Sequence, residues 1–580
     1  MSGECWPDRL IGDVPHFYLY YCGNSAEAVI ARRRSNASLV SYMPPVFVES
    51  GLYDEYKELD DLLQEHERAQ TLYPASVPAL LARIRALGEK LKLPSALPEL
   101  ETALYRMKHS LIPYGLHVFG QAYTPEEAAA YAAQTGAEDA GTLKRSASDA
   151  RELPSLLHAL SGGYIEPGIG GDIYRTPEVL PSGRNLYQFD QRLVPSPTAM
   201  QRGGEIARQT LEHFAAEGGT TPGSVAVILW GLETSRTQGE TIGQILYYWG
   251  VRCRRGAMGK KVYEIIPLAE LGRPRIDVTI NICGFFRDMF PTLIDELTDL
   301  LAQLTALPEP DAENHIKAHT KQIYAALIRE GYDEDEASEL ARARIFGPEE
   351  GSYGTGLTSI IEQKAWDDEA QLGDRFLTAL RHVYTRDLHG RDVQGLYEQN
   401  LSSVEIVSQI RDNQEYEITD LDHYYEFFGG LSKSVELVRG EKAQMYVSDT
   451  TGREIVVHTA KEAIGNGLRQ RILNPRWREG LLQHDYHGGQ KIAERFENIM
   501  GLAATTGMVE NWMFDELNAA YVENEATREA LIENNRYAYI QMLEQMLEYY
   551  NRHYWDADKD AIERIKELYR RLEDAVEEES

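Results

Sequence analysis

The chain has 580 residues, too many for a single hydrophobic core, so we expect three or four domains or a large layered assembly. Apolar residues make up 43% of it, which excludes wholesale disorder. The 59 basic and 91 acidic residues give a net charge of −32, which argues against a general nucleic-acid binder because phosphate contacts require clustered lysine and arginine.

The four cysteines, Cys5, Cys22, Cys253 and Cys283, form no CxxC pair, so the sequence predicts neither a zinc ribbon nor a disulfide framework. Such cysteine usage is typical of a reducing, cytoplasmic compartment. No apolar run is long enough to cross a bilayer, and the first residues lack the basic and apolar regions of a signal peptide. The acidic surface suits metal cations, basic partner proteins or simple solubility, and solubility is the most ordinary of these explanations.

The first part of the chain has the patterns of short strands and amphipathic helices. Residues 17–20 and 39–45 have strand composition, and Asn24 is typical of an N-cap that opens a helix. Further helical sequence extends to about Leu93, before a proline. His117 then lies in an apolar segment, where a histidine is more often a core residue than a ligand.

A polar, glycine-rich block follows at residues 162–190. Its six glycines and three prolines exclude regular structure and predict a long ordered loop, which in a compact domain is usually functional. The loop contains five candidate residues: Glu166, Asp172, Arg175, Arg184 and Asn185. Carboxylates suit divalent cations and accept protons, whereas arginines bind carboxylates through two hydrogen bonds.

Residues 224–304 alternate strand, helix, strand and helix, which predicts an α/β layer with a parallel strand pair. The second strand, 276–282, alternates apolar and polar residues and is predicted to be half-buried. It ends at Cys283-Gly284, followed by Arg287 and Asp288, and open α/β sheets usually place a site at such a strand end. A capped core strand is the structural alternative. No GxxxxGK[ST] motif is present, so the chain is not expected to hydrolyse ATP itself.

A second glycine-interrupted loop, 341–357, contains Arg344 and Tyr353. The sequence from Thr527 onward is helical, with apolar residues at steps of three and four. We therefore predict a multi-domain, mixed α/β (α+β) fold with glycine-rich active-site loops and a helical C-terminal region. The predicted segments are an N-terminal α/β part (1–123), an excursion with the glycine-rich loop (124–220), a strand–helix domain (221–310), a mixed helical domain (311–520) and a helical tail (521–580).

Several of these blocks resemble one family. The segment RPRIDVTINICGFFRD at 273–288 is similar to the Arg-Ile-Asp-Val-Thr…Ser-Gly-Phe-Phe-Arg-Asp signature of the large subunits of cobaltochelatase and magnesium chelatase. EPGIGGDIYR at 166–175, LPSGRN at 180–185 and RIFG…GSYGTG at 344–356 resemble further blocks of that family, in the same order. Cys283 stands where the family has serine and Phe428 where it has histidine. The element YYEFFGG at 424–430 is closer to the cobalt branch than to the magnesium branch.

The resemblance covers nearly all of this chain but only the C-terminal half of the family's large subunit. The family carries a block with a histidine and a glutamate, both plausible catalytic groups, immediately before the sequence that begins this chain. The chain is therefore expected to be a fragment, one product of a split gene, or a member with altered function.

The resemblance implies a tetrapyrrole-binding large subunit of an ATP-dependent metal chelatase, a ligase that forms nitrogen–metal bonds. The cobalt branch implies insertion of Co²⁺ into a corrin precursor of the hydrogenobyrinic acid a,c-diamide type, in cobalamin biosynthesis, with AAA+ partner subunits that use ATP-Mg. The alternatives are a magnesium chelatase H-like subunit that takes Mg²⁺ and protoporphyrin, and a non-catalytic tetrapyrrole carrier that lacks the upstream histidine and glutamate.

On this interpretation Glu166, Asp172 and His117 are the candidate catalytic residues for metal delivery or proton abstraction, and Glu166 and His117 are the candidate metal ligands. The candidate substrate-binding residues are Arg175, Arg184, Asn185, Arg275, Asp277, Cys283, Arg287, Asp288, Arg344 and Tyr353. The five arginines are candidates for holding the substrate's carboxylates, and Asp277, Asp288 and Tyr353 for positioning them.

Overall fold

The structure is a computed structural model that describes residues 16–35, 37–136, 138–187, 190–256 and 259–579. Its strands are, in chain order, β1 (Phe17–Tyr21), β2 (Ser38–Tyr42), β3 (Phe47–Glu49), β4 (Leu111–Pro113), β5 (Pro167–Ile169), β6 (Asn185–Tyr187), β7 (Ser224–Leu229), β8 (Val251–Arg255), β9 (Lys261–Ile265), β10 (Asp277–Ile282), β11 (Ile345–Gly347), β12 (His382–Tyr384), β13 (His389–Asp392), β14 (Ile406–Arg411), β15 (Gln444–Asp449) and β16 (Val456–Thr459).

The α-helices are α1 (Ser25–Ser35), α2 (Asp54–Leu72), α3 (Val77–Lys90), α4 (Leu97–His109), α5 (Pro125–Thr135), α6 (Ala140–Ala147), α7 (Glu152–Leu160), α8 (Pro197–Ala216), α9 (Gly231–Thr237), α10 (Glu240–Trp249), α11 (Leu268–Leu271), α12 (Gly284–Met289), α13 (Pro291–Thr305), α14 (His315–Glu330), α15 (Glu334–Ala341), α16 (Leu357–Glu362), α17 (Ala370–Leu380), α18 (Leu396–Leu401), α19 (Gly430–Arg439), α20 (Ala460–Gly467), α21 (Pro475–Leu482), α22 (His487–Thr506), α23 (Asn511–Asn518), α24 (Glu525–Asn551) and α25 (Lys559–Glu579). Short π-helical stretches lie at Tyr424–Gly429, Leu468–Ile472 and Ala519–Glu523.

The chain divides into two compact units, each made of separated stretches. The first unit comprises Met1–Pro44, Val118–Ala463 and Glu497–Met508. The second unit comprises Pro45–His117, Ile464–Phe496 and Val509–Ser580. The five-part division predicted from the sequence stays a prediction.

The first unit is built on an eight-stranded sheet with the order β13-β12-β11-β10-β7-β14-β15-β16. The five central strands, β11, β10, β7, β14 and β15, are parallel, and the predicted parallel pair of β7 and β10 is confirmed. Antiparallel strands close both sides of the sheet: β12 and β13 beyond β11, and β16 beyond β15.

The prediction that the strand at 276–282 is half-buried is wrong. Every residue of β10 is buried, as are all residues of β7 and β14. A parallel sheet is usually covered by helices on both faces, so its polar positions also enter the interior. Two of them have partners there: Asp277 accepts from Arg344, and the Asn281 side-chain oxygen accepts from the Tyr397 hydroxyl, whereas the Asn281 side-chain nitrogen has no hydrogen-bond partner among the described residues.

Helices α8 and α10 cross with their backbones in close contact. A Cβ added at Gly203 would lie 2.3 Å from the Glu240 carbonyl oxygen, and one at Gly243 would lie 2.6 Å from the Ala199 carbonyl oxygen. No side chain larger than hydrogen fits at either position. The crossing fixes the start of α10, where Glu240 lies, against Arg202 of α8.

The second unit contains a helical core around α2, α3 and α4. Tyr56, Leu59, Leu62 and Leu63 form the buried stripe of α2, as the three- and four-residue spacing predicts. Near the C-terminus of the chain α24 and α25 pack on each other, and Ile565 of α25 is fully buried. The predicted helical tail is confirmed.

No helix in the described ranges has the length and apolar character needed to cross a membrane.

Candidate functional site at the carboxyl edge of the sheet

The strand order of the central sheet reverses between β7 and β14. From β7 the chain proceeds through β10 to β11 on one side of the sheet, and later returns to place β14 and β15 on the other side of β7. Loops that leave two such neighbouring strands diverge to opposite faces and open a crevice at their carboxyl ends, where ligands of α/β sheets bind. By this rule the crevice is expected beyond Leu229 and Arg411, the last residues of β7 and β14.

The loop after β7 supplies a buried carboxyl group. Glu233, in the first turn of α9, is only 2% exposed and accepts hydrogen bonds from the Thr237 and Thr234 hydroxyls at 2.9 and 3.3 Å. Burial, reinforced by the nearby charge of Asp412, raises the pKa of Glu233 to about 8. Its carboxyl group therefore exchanges protons near neutral pH.

An ion pair joins the loops that follow β7 and β14. The Arg236 Nε and Nη2 atoms donate to the two carboxylate oxygens of Asp412 at 2.5 and 3.1 Å. Burial alone would raise the pKa of Asp412, but Arg236 outweighs it and holds this pKa below its ordinary value. The paired Arg236 and Asp412 thus bridge the point at which the strand order reverses.

The glycine-rich loop brings two of the predicted residues to the same place. Arg175 donates to the Asp412 carbonyl at 2.8 Å, to Glu240 at 3.2 Å and to the Thr450 carbonyl at 2.8 Å. Asp172 accepts from the backbone N–H of Arg175 at 3.0 Å, and burial raises the pKa of Asp172. Arg175 therefore connects this loop to α10 and to the loops after β14 and β15.

An aromatic group lines the other side of the crevice. The Trp230 ring stacks on the His423 ring, with centroids 5.2 Å apart and an interplanar angle of 16°, and lies edge-on to Phe427 at 4.6 Å. Burial opposes charge on His423, but hydrogen bonds with Asp422 and Glu426 raise its pKa well above the ordinary value. A half-exposed imidazolium on a tryptophan face presents a flat, cationic surface.

Glu426 also connects the second glycine-interrupted loop to this aromatic group. It accepts from the backbone N–H and the hydroxyl of Thr355 at 2.7 and 2.9 Å. A Cβ at Gly354 would approach the Glu426 carboxylate to 2.9 Å, so glycine permits this close approach.

Four predicted residues gather at the carboxyl end of β10. The Cys283 sulfur accepts from the Phe286 backbone N–H and caps α12, and burial raises the pKa of the Cys283 thiol. Arg287 pairs with Asp288 at 3.0 Å, Tyr353 donates to Asp288 at 2.6 Å, and the Arg287 guanidinium lies over the Tyr353 ring. Arg287 and Tyr353 thus bring the loops after β10 and β11 together.

Three other predicted residues lie at the opposite edge of the sheet. Asp277 begins β10, so its Cα lies about 17 Å from the last Cα of that strand. Arg344 pairs with Asp277 at 2.9 Å, and Arg275 pairs with Glu309 at 2.8 Å; both guanidiniums are fully buried. Burial would raise the pKa of Asp277, yet Arg344 and His319 lower it to about 2. These side chains therefore do not line the carboxyl-edge crevice.

The remaining predicted residues lie in two places. Glu166 is exposed; its carbonyl accepts from the backbone N–H of Asn185, beside the pairing of β5 with β6. The Asn185 side chain accepts from Leu39 of β2, and Arg184 bonds through its backbone to Ser41. His117 belongs to the second unit, whereas Glu166 belongs to the first. Among the described residues, no three His, Cys, Asp or Glu side chains are grouped to hold a metal.

The candidate functional side chains that directly follow β7 and β14 were not predicted from the sequence. Asp412 follows the apolar run of β14, and its position directly after a strand is the signal that could have revealed it. Glu233 and Trp230 follow β7 in the same way.

A model of the CobN/magnesium chelatase family matches residues 1–144 and 137–562. The chain belongs to this family. It is 35% identical over 592 residues to the magnesium-chelatase H protein of Cereibacter sphaeroides, covering 100% of this chain and 48% of that protein. It is 28% identical over 679 residues to the CobN component of the aerobic cobaltochelatase of a Sinorhizobium species, covering 96% of this chain and 53% of that one.

A solved structure described as the catalytic subunit of cobaltochelatase from Mycobacterium tuberculosis has the same fold. Its TM-score is 0.90 at 28% identity, over 98% of this chain and 56% of that one. The mixed α/β fold predicted from the sequence is confirmed, as is the resemblance to the family. This member of the CobN/magnesium chelatase family spans about half the length of the relatives it matches.

Proposed function

We propose that this chain is the tetrapyrrole-binding part of a metal-chelatase large subunit, and that the ring binds at the carboxyl edge of the central sheet. The observation that carries the proposal is the buried cluster at the strand reversal, where Glu233 has a raised pKa beside the Arg236–Asp412 pair. Family membership supports the class of reaction.

The chemistry requires removal of two pyrrole N–H protons while a divalent cation loses its water. Glu233 and Asp172 are suited to the proton transfers, because burial raises the pKa of each carboxyl group. Glu166, which is exposed in the glycine-rich loop, remains the proposed residue for metal delivery. His117 keeps the same proposed role from the second unit.

The ring needs a flat surface and cations for its carboxylates. Trp230 and His423 supply a flat cationic surface, and Arg287 and Arg184 are the proposed carboxylate ligands. Arg175, whose charge is paired with Glu240, is proposed to position the glycine-rich loop beside them. Asn185, Cys283, Asp288 and Tyr353 are proposed to position this edge. We assign Arg275, Arg344 and Asp277 to stabilising the opposite edge, because their charges are already paired and buried.

For the metal and the ring, we propose Co²⁺ and a corrin precursor in cobalamin biosynthesis, with ATP-Mg hydrolysed by AAA+ partner subunits. The cobalt-type sequence at Tyr424–Gly429, which packs on Trp230, supports this choice. Mg²⁺ and protoporphyrin are the second candidate pair, favoured by the 35% identity to a magnesium-chelatase protein. A non-catalytic ring carrier is the third candidate.

The test is a fluorescence-quenching titration of residues 1–580 with the corrin precursor and with protoporphyrin. We expect saturable binding, about tenfold weaker in Arg287→Gln because one charged contact is lost. Arg386→Gln is the matched control, since this arginine is also paired with an aspartate but is 48% exposed on another face. Failure of both rings to bind, or equal binding by Arg287→Gln, would contradict the proposed site.

Metal insertion is measured on the same variants with the partner subunits and ATP, supplying Co²⁺ and Mg²⁺ separately. Insertion of Co²⁺ into the corrin precursor alone would identify the cobalt branch. Insertion of Mg²⁺ into protoporphyrin alone would identify the magnesium branch. Ring binding without insertion of either metal would support the carrier function.

A further inference from the structure

A cavity of about 660 Å³ lies in the first unit, away from the residues assigned above. It is bounded by α8, α10, the β8–β9 hairpin and α11. Its volume is within the range of small-molecule sites, roughly 300 to 1,000 Å³. None of its lining residues belongs to the carboxyl-edge cluster.

The charge of this cavity is opposite to that of the chain. Its described lining includes three arginines, Arg252, Arg254 and Arg273, and one acid, Glu270, and a second acid, Glu264, is paired with Arg254, so the local balance is 3 − 2 = +1. The whole chain has a net charge of −32. A basic cavity in so acidic a protein concentrates anions locally.

Two of these arginines are available to a ligand. Arg252 pairs with Glu270 at 2.6 Å and Arg254 with Glu264 at 3.2 Å, and the four side chains are between 41% and 65% exposed. Exposed ion pairs of this kind contribute little to stability, so an incoming anion can replace the glutamates at small cost.

Arg273 has a different arrangement. It donates to the backbone carbonyls of Tyr247 and Tyr248, which end α10, and no carboxylate of the described chain lies within ion-pair distance of it. A cation at this position offsets the negative end of the helix dipole. The cavity therefore keeps its positive character although a helix ends there.

The walls also offer apolar area. The Arg273 guanidinium covers one face of the Tyr247 ring, 4.7 Å from its centroid, and is itself a flat group in the cavity lining. Val251, Ile266 and Leu271 line the rest. A ligand that satisfies both features has a planar apolar body and a negatively charged group.

We propose that this cavity is a second binding site, for a planar aromatic carboxylate, with Arg252 and Arg254 as its carboxylate ligands and the Arg273 guanidinium, which lies over Tyr247, as its stacking surface. The proposal does not depend on the proposed chelatase function, since the two sites share no residue.

Cys253 provides a local reporter for the test. It lines the cavity and is partly exposed, whereas Cys22 and Cys283 are buried. Alkylation of Cys253 by iodoacetamide, followed by peptide mass spectrometry, therefore reports on the β8 wall of this cavity. The probe is the fluorescent carboxylate 1-pyrenebutyrate, its neutral counterpart is 1-pyrenebutanol, and inorganic phosphate represents charge without an apolar body.

We expect pyrenebutyrate to bind the full chain saturably, about tenfold or more tightly than pyrenebutanol, and to slow the alkylation of Cys253. The double variant Arg252→Gln/Arg254→Gln should lose about tenfold or more in affinity, whereas Arg386→Gln should bind as the unchanged chain does.

Equal binding of the acid and the alcohol, or undiminished binding by the double variant, would overturn the proposal. Protection of Cys253 by phosphate as effective as that by pyrenebutyrate would overturn the assignment of an aromatic ligand. The double variant replaces only exposed side chains, and its far-UV circular dichroism and urea-unfolding midpoint serve as the folding control.

Discussion

Some of the single residues in the crevice could be predicted from their local sequence, and others could not. Asp172, Arg175 and Cys283 lie in glycine-rich turns or directly after a strand, and such positions are predictable because the backbone there must approach other elements. Glu233 and Asp412 required knowledge of which strands are neighbours. Their raised and lowered pKa values result from burial and from Arg236, which are tertiary effects.

Glu233 should make stability depend on pH. Its pKa of about 8 in the folded chain lies above the ordinary glutamate value, so between pH 5 and 8 the native state binds more protons than the unfolded state. The free energy of unfolding should therefore fall as pH rises, by on the order of 4 kcal/mol. Glu233→Gln should remove this fall, measured by urea unfolding at several pH values. The control variant Glu212→Gln, at an exposed position, should retain the fall in stability with pH. Parallel pH profiles of Glu233→Gln and the wild-type chain would refute the raised pKa of Glu233.

Glu166 tests metal delivery separately from ring binding. Because its side chain is exposed, Glu166→Gln should fold normally and bind the ring unchanged. We expect its insertion rate with partner subunits and ATP to fall by roughly a hundredfold, the lower range for a lost acid–base group. An insertion rate equal to that of the unchanged chain would exclude Glu166 from the mechanism. Glu126→Gln, an exposed control on α5, should insert metal normally.

Secondary-structure elements were predicted better than their surroundings. The strand at β10 follows from its alternation, but the same alternation predicted one solvated face and was wrong. Alternation describes only the strand itself, whereas burial depends on helices that cover both faces. Asp277 and Asn281 of β10 are buried in this way, with Arg344 and Tyr397 as their hydrogen-bond partners.

The α8–α10 crossing gives a test at this scale. Gly203→Ala should destabilise the first unit by about 3 kcal/mol, since the new methyl would lie 2.3 Å from the Glu240 carbonyl oxygen. Gly204 is its neighbour on the same helix, and a methyl there would meet only the Tyr247 ring at 3.4 Å. Gly204→Ala should be neutral or up to about 1 kcal/mol stabilising, through helix propensity. Urea unfolding of the two variants measures both values, and equal stabilities would contradict the close crossing.

The arrangement of strands and loops in the whole molecule was the hardest feature to predict from the sequence. A parallel pair follows from alternating strands and helices, but the order of five parallel strands depends on long-range packing, as does the position where the order reverses. That position determines which loops meet, so the composition of the crevice could not be derived from spacing alone. Net charge, by contrast, is fixed by composition.

Because the net charge is −32, the thermal stability of the folded chain should depend on salt concentration. At about 10 mM ionic strength the screening length is about 30 Å, so most surface carboxylates repel one another, whereas at about 150 mM it is about 8 Å. We expect the midpoint of thermal unfolding to rise by a few degrees over this interval. Differential scanning calorimetry in sodium chloride measures the effect, with sucrose as an uncharged control. A midpoint that falls with salt would show that favourable ion pairs dominate.

The two sides of the central sheet also limit how copies of this molecule can associate. The outermost strand on one side, β13, has only four residues, and its Arg391 and Asp392 are held in ion pairs with Glu336 and Arg381. The outermost strand on the other side, β16, is equally short. Both outer strands are short, and β13 is also charged, so they offer few free backbone groups to a foreign strand and growth into continuous intermolecular β-structure is discouraged. A concentrated solution of the folded chain is thereby protected from fibre formation through its largest sheet.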